Sequence, residues 1–295
     1  MKRLGPLTAA LATLLIVFAL PGAPAQSVPE ANTPHRIVVI IFENKPYDHV
    51  MGDSEAPYFN ALTHSGTLFT NYSAVVPGSP HDYRAITSGL TTKASTGNIF
   101  HAIDNSNGRV RWVQLNESLR GTCGDGSTGM VPGTKVPLFF KGHDYAYFNK
   151  ANESCAQHDI ALTEATFDPS KLPDLTFLVP NMCSIMHTFP KGGECPAFFG
   201  PLKAKSAVAM GDAWLKKVVP QLLAEPDITV VVTFDEGAQS SHEHVFTVEV
   251  GAGVAAGGRD ARAYNHYGLC AGLYKALDLG TAPNNCAHAA PLPIG

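Results

Sequence analysis

The sequence predicts an α/β fold, with a mostly parallel central sheet flanked by helices on both faces. Three observations carry this. Apolar, β-branched runs at 37–42 (IVVIIF), 175–179 (LTFLV) and 228–234 (ITVVVTF) show little alternation, as strands buried on both faces do. Helical patterns lie between them. Strand and helix therefore alternate along the chain. In order, strand 37–42 is followed by a helix over 56–66 (APYFNALTHSG) ending on Gly66, and another over 79–90 (SPHDYRAITSGL). Residues 91–170 are Gly-rich and show no clear period, so they read as an irregular insertion over one sheet edge. After strand 175–179 comes a helix over 205–225, with Trp214, Val218 and Leu222 on one face. Strands 228–234 and 245–250 (VFTVEV) and a helix over 267–280 ending at Gly280 complete the pattern.

Residues 1–25 read as a secretory leader: Lys2 and Arg3, the apolar run LTAALATLLIVFAL, and small residues before Gln26. Residues 26–295 then form one domain, with no linker, repeat or second spanning segment. The net charge is −4 and no basic stripe exists, which argues against nucleic acid as a partner. Six cysteines in an exported chain imply disulfides. Fifteen pairings are open; proximity favours Cys183–Cys195 and Cys270–Cys286, leaving Cys123–Cys155. Asn71, Asn116 and Asn152 lie in N-x-S patterns, which matter in a glycosylating host. A secreted monomer is expected.

Two of the strands end alike. Strand 37–42 stops at Glu43-Asn44, and strand 228–234 stops at Asp235-Glu236. In open α/β sheets, ligands bind beyond the carboxyl ends of the strands. If these strands are neighbours, four oxygen-bearing side chains converge. Three carboxylates cannot share a buried cleft unless protons or a cation neutralise them. Oxygen donors without thiolate suit one divalent ion: Ca²⁺, Mg²⁺ or Mn²⁺ first, then Zn²⁺ or iron. Ser79 opens the second helix, with Pro80 at its first position. It reads either as an N-cap or as a nucleophile placed at a phosphate-binding helix terminus.

Six ordered segments resemble the phosphoesterase family that holds bacterial phospholipases C and secreted acid phosphatases, within the alkaline-phosphatase superfamily. FENKPYDHVMGD is similar to its E-N-x-S-x-D-x-x-F/I-G segment, and SPHDYRAITSG to its S-x-P-N-Y-L-A-L-x-S-G segment. LPDLTFLVPNMCSIMH, GDAWLKKVVPQLL, VVTFDEG and YNHYGLCAGLYKALDLG match later segments, so the likeness spans residues 36 to 280. It implies a three-layer alkaline-phosphatase-like sandwich. It implies metal ligands Glu43, Asn44, Ser79, Asp235 and Glu236, with Ser79 the nucleophile of a phosphoserine intermediate. His187 and His266 match histidines that hold phosphate or protonate the leaving group, and Asp82, His143 and His244 are further substrate-binding candidates.

The chain departs from the family where His81 and Asp82 replace Pro and Asn. Ile185 replaces a metal-competent Asp, so no second metal of the superfamily type is expected. The family's K-H-x-P-W appears as KGHDY, which puts Gly142 on its His and His143 one residue along. The expected activity is a phosphomonoesterase of acid-phosphatase type on a small phosphorylated substrate. The alternatives are a phospholipase C or other phosphodiesterase on a phospholipid headgroup, and a non-catalytic phospho-ligand-binding protein. VPLFF (136–140) is either an ordinary strand or part of an apolar rim favouring the diesterase.

Overall fold

A computed structural model describes Met1 and residues 35–92, 97–148, 154–237 and 243–295. The expected leader, apart from Met1, and the Asn152 sequon lie outside the described residues. Eight strands form the main sheet: β1 (Arg36–Phe42), β2 (Thr67–Phe69), β3 (Trp112–Glu117), β4 (Asp159–Leu162), β5 (Leu175–Val179), β6 (Ile228–Phe234), β7 (Val248–Gly251) and β8 (Gly258–Asp260). Their spatial order is β8-β2-β7-β6-β1-β5-β3-β4. β6, β1, β5, β3 and β4 pair in parallel, β8 is parallel to β2, and β7 runs antiparallel to both its neighbours. β1 lies between β6 and β5, and Ile37 to Phe42 are all fully buried. That explains the unbroken apolar run: helices cover both faces of this strand.

Register assigns the faces, because aligned residues of neighbouring strands point the same way. Phe42 aligns with Phe234 on β6. Both rings meet Phe59 of α1 (Pro57–Ser65), and Phe42 also meets Trp214 of α4 (Ala207–Leu222). Val39 has the opposite parity and aligns with Phe177 on β5. Phe177 meets Phe100 of α3 (Ile99–Asp104), so α3 covers the second face. α2 (Ser79–Ser88) and α5 (His266–Ala276) pack on each other. Ser206 caps α4 by accepting from Ala209 N–H, and Asn265 caps α5 by accepting from Tyr267 and Gly268 N–H.

Three expectations change. Residues 91–170 are not an irregular insertion, since they supply β3 and β4, two strands of the sheet. Their period was hidden because buried polar residues occupy strand positions. Gln114 Nε2 donates to Asp144 Oδ1 (2.9 Å) and Asn116 Oδ1 (3.2 Å), and Asn116 donates in turn to Asp159. The strand expected at 245–250 is Val248–Gly251, and Val245 makes only an isolated bridge to Pro46. VPLFF is not a strand either; Pro137 bridges Met130 and Phe140 is 44% exposed. The cysteines pair as Cys123–Cys155, Cys183–Cys195 and Cys270–Cys286. Asn116 is fully buried in the sheet and no glycan acceptor, whereas Asn71 is exposed.

Burial and the neighbouring Asp144 carboxyl push Asp159 up to about 10. A raised carboxyl pKa contributes stability that is complete below the unfolded value near 4 and is lost as pH climbs toward the folded value. The melting temperature should therefore fall between about pH 5 and pH 9, and Asp159→Asn should flatten that slope. Thermal melts at several pH values check this. An equally steep slope in the variant would show that the proton sits elsewhere.

Candidate active and metal site

β1 and β6 run side by side in parallel, so the residues just beyond Phe42 and Phe234 meet at one edge. Asp235 N–H donates to Phe42 O (2.9 Å), and Asn44 N–H donates to Asp235 Oδ1 (3.0 Å). Glu43, Asp235 and Glu236 are 0%, 0% and 3% exposed. Ser79 Oγ donates to Glu43 Oε2 at 2.9 Å, and Gly78 N–H donates to Glu236 Oε2. The structure thus brings Glu43, Asn44, Ser79, Asp235 and Glu236 together.

Ser79 is not an N-cap. Gly78 holds that place with φ 110°, a conformation that L side chains rarely adopt, and Ser79 is the first helical residue. Its hydroxyl is thereby released from capping and turned to Glu43.

The site is short of positive charge. Burial, then the Asp235 charge, pushes Glu43 well above its usual range, and burial lifts Asp235 to about 7. Glu43 Oε1 and Asp235 Oδ2 are buried without a hydrogen-bond donor. One terminal atom of the Asn44 amide lies 2.6 Å from Glu236 Oε1 and 3.3 Å from Glu43 Oε2. As nitrogen it donates to both. As oxygen it converges with them, an arrangement that only a cation between the oxygens stabilises. Orphaned carboxylate oxygens and a hard donor set fit a divalent ion held by Glu43, Asn44, Asp235 and Glu236.

The histidines divide. His143 is buried, with Nε2 3.1 Å from Glu43 Oε1 but off hydrogen-bond alignment. Burial, then His187, lowers it to about 3. His187 is exposed; its ring lies 5.7 Å from that of His143, and Nδ1 meets Thr188 Oγ1 at 2.9 Å. One donor atom each of Glu43, His143 and His187 lies within 4.8 Å of the others. His266 opens α5 fully buried, with Nε2 2.6 Å from Asp235 O and Nδ1 2.9 Å from Tyr72 Oη. A carbonyl only accepts, so Nε2 carries the proton and Nδ1 accepts from Tyr72. Burial lowers His266 to about 4, which keeps it neutral. Both nitrogens are taken, so His266 positions Asp235 instead of meeting substrate.

The two remaining substrate-binding candidates make structural contacts of their own. Asp82 is fully buried beneath the site, and Oδ1 accepts from Val75 N–H (2.9 Å) and Val76 N–H (3.4 Å), which fixes the loop ahead of Ser79. Burial lifts its carboxyl to about 8. His244 stacks on Tyr47, with centroids 4.2 Å apart, and its Nε2 meets Thr70 O at 3.1 Å. The sequence reading missed Lys45, whose Nζ donates to Asn44 O (3.1 Å) and Met186 O (3.2 Å). It straps the metal-competent turn to the turn carrying His187. Its place next to Asn44 was the only signal available.

Compared by sequence, the chain matches no protein-family model and no curated protein. By structure it is similar to a protein in the alkaline phosphatase superfamily from Vibrio parahaemolyticus, at 13% identity and TM-score 0.51, covering 85% of this chain and 69% of that one. It is similar to the lipoteichoic acid synthase LtaP from Listeria monocytogenes, at 9% identity and TM-score 0.56, covering 87% and 76%. It is also similar to phosphonate monoester hydrolase of Agrobacterium radiobacter, at 12% identity and TM-score 0.51, covering 88% and 78%. The chain has the alkaline-phosphatase-like α/β fold.

Proposed function

We propose that the chain is a metal-dependent phosphoesterase, a phosphomonoesterase of acid-phosphatase type acting through a phosphoserine at Ser79. One observation carries this: a serine hydroxyl at the positive end of α2 donates to a buried carboxylate at the meeting point of two strand ends. A divalent ion held by Glu43, Asn44, Asp235 and Glu236 would supply Lewis acidity and charge neutralisation there. The chain's own residues do the rest. The Ser79 hydroxyl proton already points at Glu43 Oε2, its first acceptor. Ser79 Oγ attacks phosphorus as the bond to the leaving oxygen breaks, and that oxygen takes up a proton. Water then attacks the phosphoserine, returning Ser79 and releasing phosphate. His266, neutral and locked on Asp235 O, keeps that strand end in place. His143 and His187 stand beside Glu43, where imidazole nitrogens suit phosphate oxygens or the leaving oxygen. Burial raises the Asp82 carboxyl, which favours its neutral form and lessens its repulsion of an incoming phosphate. The three disulfides and the expected leader support export to an oxidising compartment. Among the described residues, no helix is long and apolar enough to cross a membrane.

A phosphodiesterase reading, including phospholipase C, has one observation of its own. Phe140 is 44% exposed and its ring lies 5.0 Å from that of His143. An apolar side chain there suits a substrate with a lipid or aromatic alcohol portion.

Hydrolysis of p-nitrophenyl phosphate with added divalent metal should fall on the order of 10⁴-fold in Ser79→Ala and stop with EDTA. Hydrolysis confined to p-nitrophenyl phosphorylcholine would favour the diesterase, and Phe140→Ser should then weaken it. Silence on both substrates would leave a binding role. Folding should report the ion independently of turnover. Divalent metal at a hundredfold excess over its Kd should stabilise the protein by about 2.7 kcal/mol, several degrees in Tm. Asp235→Asn should abolish the rise given by Ca²⁺, Mg²⁺ or Mn²⁺. A melt indifferent to every divalent ion would remove the metal from this scheme.

A further inference from the structure

Apart from Met1, three large apolar side chains are exposed among the described residues: Met130, Phe140 and Phe189, at 58%, 44% and 38%. All three lie on two segments stitched together beside the candidate histidines. In the first, Leu138 N–H donates to Gly129 O (2.9 Å) and Met130 bridges Pro137. The second, 182–191, joins it twice: Met182 N–H donates to Leu138 O (2.8 Å), and Lys191 N–H donates to Pro132 O (2.8 Å). The Phe140 ring lies 5.0 Å from that of His143, which lies 5.7 Å from that of His187, two residues before Phe189. Positive charge gathers on the same segments. The chain carries −4, yet residues 126–143 hold Lys135 and Lys141 and no Asp or Glu. Residues 187–206 hold Lys191, Lys203 and Lys205 against Glu194 alone, and Glu194 is paired with Lys203 at 3.1 Å. Lys135 and Lys191 are exposed.

We propose that this rim docks the protein on an anionic lipid surface. Apolar side chains on loops enter the headgroup layer, while lysines beside them meet lipid phosphate, their stems lying along apolar surface. Neither element suffices alone. Lysines without apolar side chains hold a surface only at low salt. Apolar tips without lysines do not distinguish an anionic surface from a neutral one. A protein partner fits less well. Three partly exposed side chains offer well under the roughly 800 Å² that each partner of a stable protein pair buries. A lipid surface needs no matching shape, and the lysines give it the complementary charge. Docking in this way turns the His143 and His187 side of the candidate site toward the membrane. The proposal adds a partner and does not depend on which ester the site cleaves, or on its cleaving one.

The test is co-sedimentation of the protein with vesicles of phosphatidylglycerol or of phosphatidylcholine. EDTA is present throughout, so that no bound ion captures a headgroup. Binding should be strong to the first, weak to the second, and should fall as salt is raised. Met130→Ser and Phe189→Ser should each weaken partitioning about tenfold. Lys135→Gln and Lys191→Gln should each weaken it about fivefold. Lys217→Gln, which removes the same charge from an exposed position on α4, should leave it unchanged. All these side chains are exposed, so the variants should fold, and near-ultraviolet circular dichroism checks that they do. Ser79→Ala should sediment as wild type does whatever it does to turnover, which separates failure of the docking surface from failure of the catalytic reading. Equal binding to both vesicle types, or to neither, would overturn the proposal. A loss in Lys217→Gln as large as in Lys191→Gln would reduce it to diffuse charge attraction and overturn it too. A dimer formed without lipid and dispersed by Phe189→Ser would assign the rim to a second copy of the chain instead.

Discussion

Everything at the candidate site depends on the parallel pairing of β1 with β6. With Phe42 opposite Phe234, the next residues of both strands emerge side by side. A slip of one residue would turn Phe42 away from Phe59 and Trp214, and would separate Glu43 from Asp235. The core therefore sets the register, and the register sets the site. Burial of two phenylalanines and a tryptophan is the favourable term that holds three carboxyl groups close together.

Such a cluster cannot stand on its own charges. Raised carboxyl pKa values, orphaned oxygens and an amide wedged between two carboxylates describe the same deficit from three sides. The surrounding histidines do not fill it. Burial keeps His143 and His266 neutral, and Lys45 spends two of its three N–H groups on backbone carbonyls. Neutral imidazoles can accept a metal or position a backbone carbonyl, but they do not balance three carboxylates. The charge deficit is left to protons or to an ion from solution.

Much of this was legible in the sequence because the driving pattern is local. Strand 175–179 matches its observed bounds, strand 228–234 matches too, and strand 37–42 gains only Arg36, because a strand buried on both faces must be apolar throughout. The doublets Glu43-Asn44 and Asp235-Glu236 stood out because they interrupt such runs. β3 and β4 were not legible: Gln114, Asn116 and Asp159 satisfy one another only once the strands have paired. The N-cap reading of Ser79 failed because Ser-Pro is a good cap signal, while the backbone of Gly78 takes that place at positive φ. His244 and Asp82 carry side chains suited to phosphate, yet one stacks on Tyr47 and the other ties down Val75 and Val76. No local pattern distinguishes a phosphate ligand from a polar group that holds a loop.

That last ambiguity explains Asp82 physically. A neutral amide at this position would make the same two contacts to backbone N–H groups through its oxygen. A carboxyl does so while remaining able to ionise, and it lies 3.7 Å from His266 Nε2, next to the strand end it helps to support. Burial disfavours that charge, and the Asp235 and Glu236 carboxylates add to the penalty. Any cation that neutralises Asp235 and Glu236 removes part of the repulsion at Asp82 as well. The loop before Ser79 and the strand end after Phe234 are therefore coupled electrostatically through the Asp82 carboxyl, and a cation bound at that strand end would bear on both.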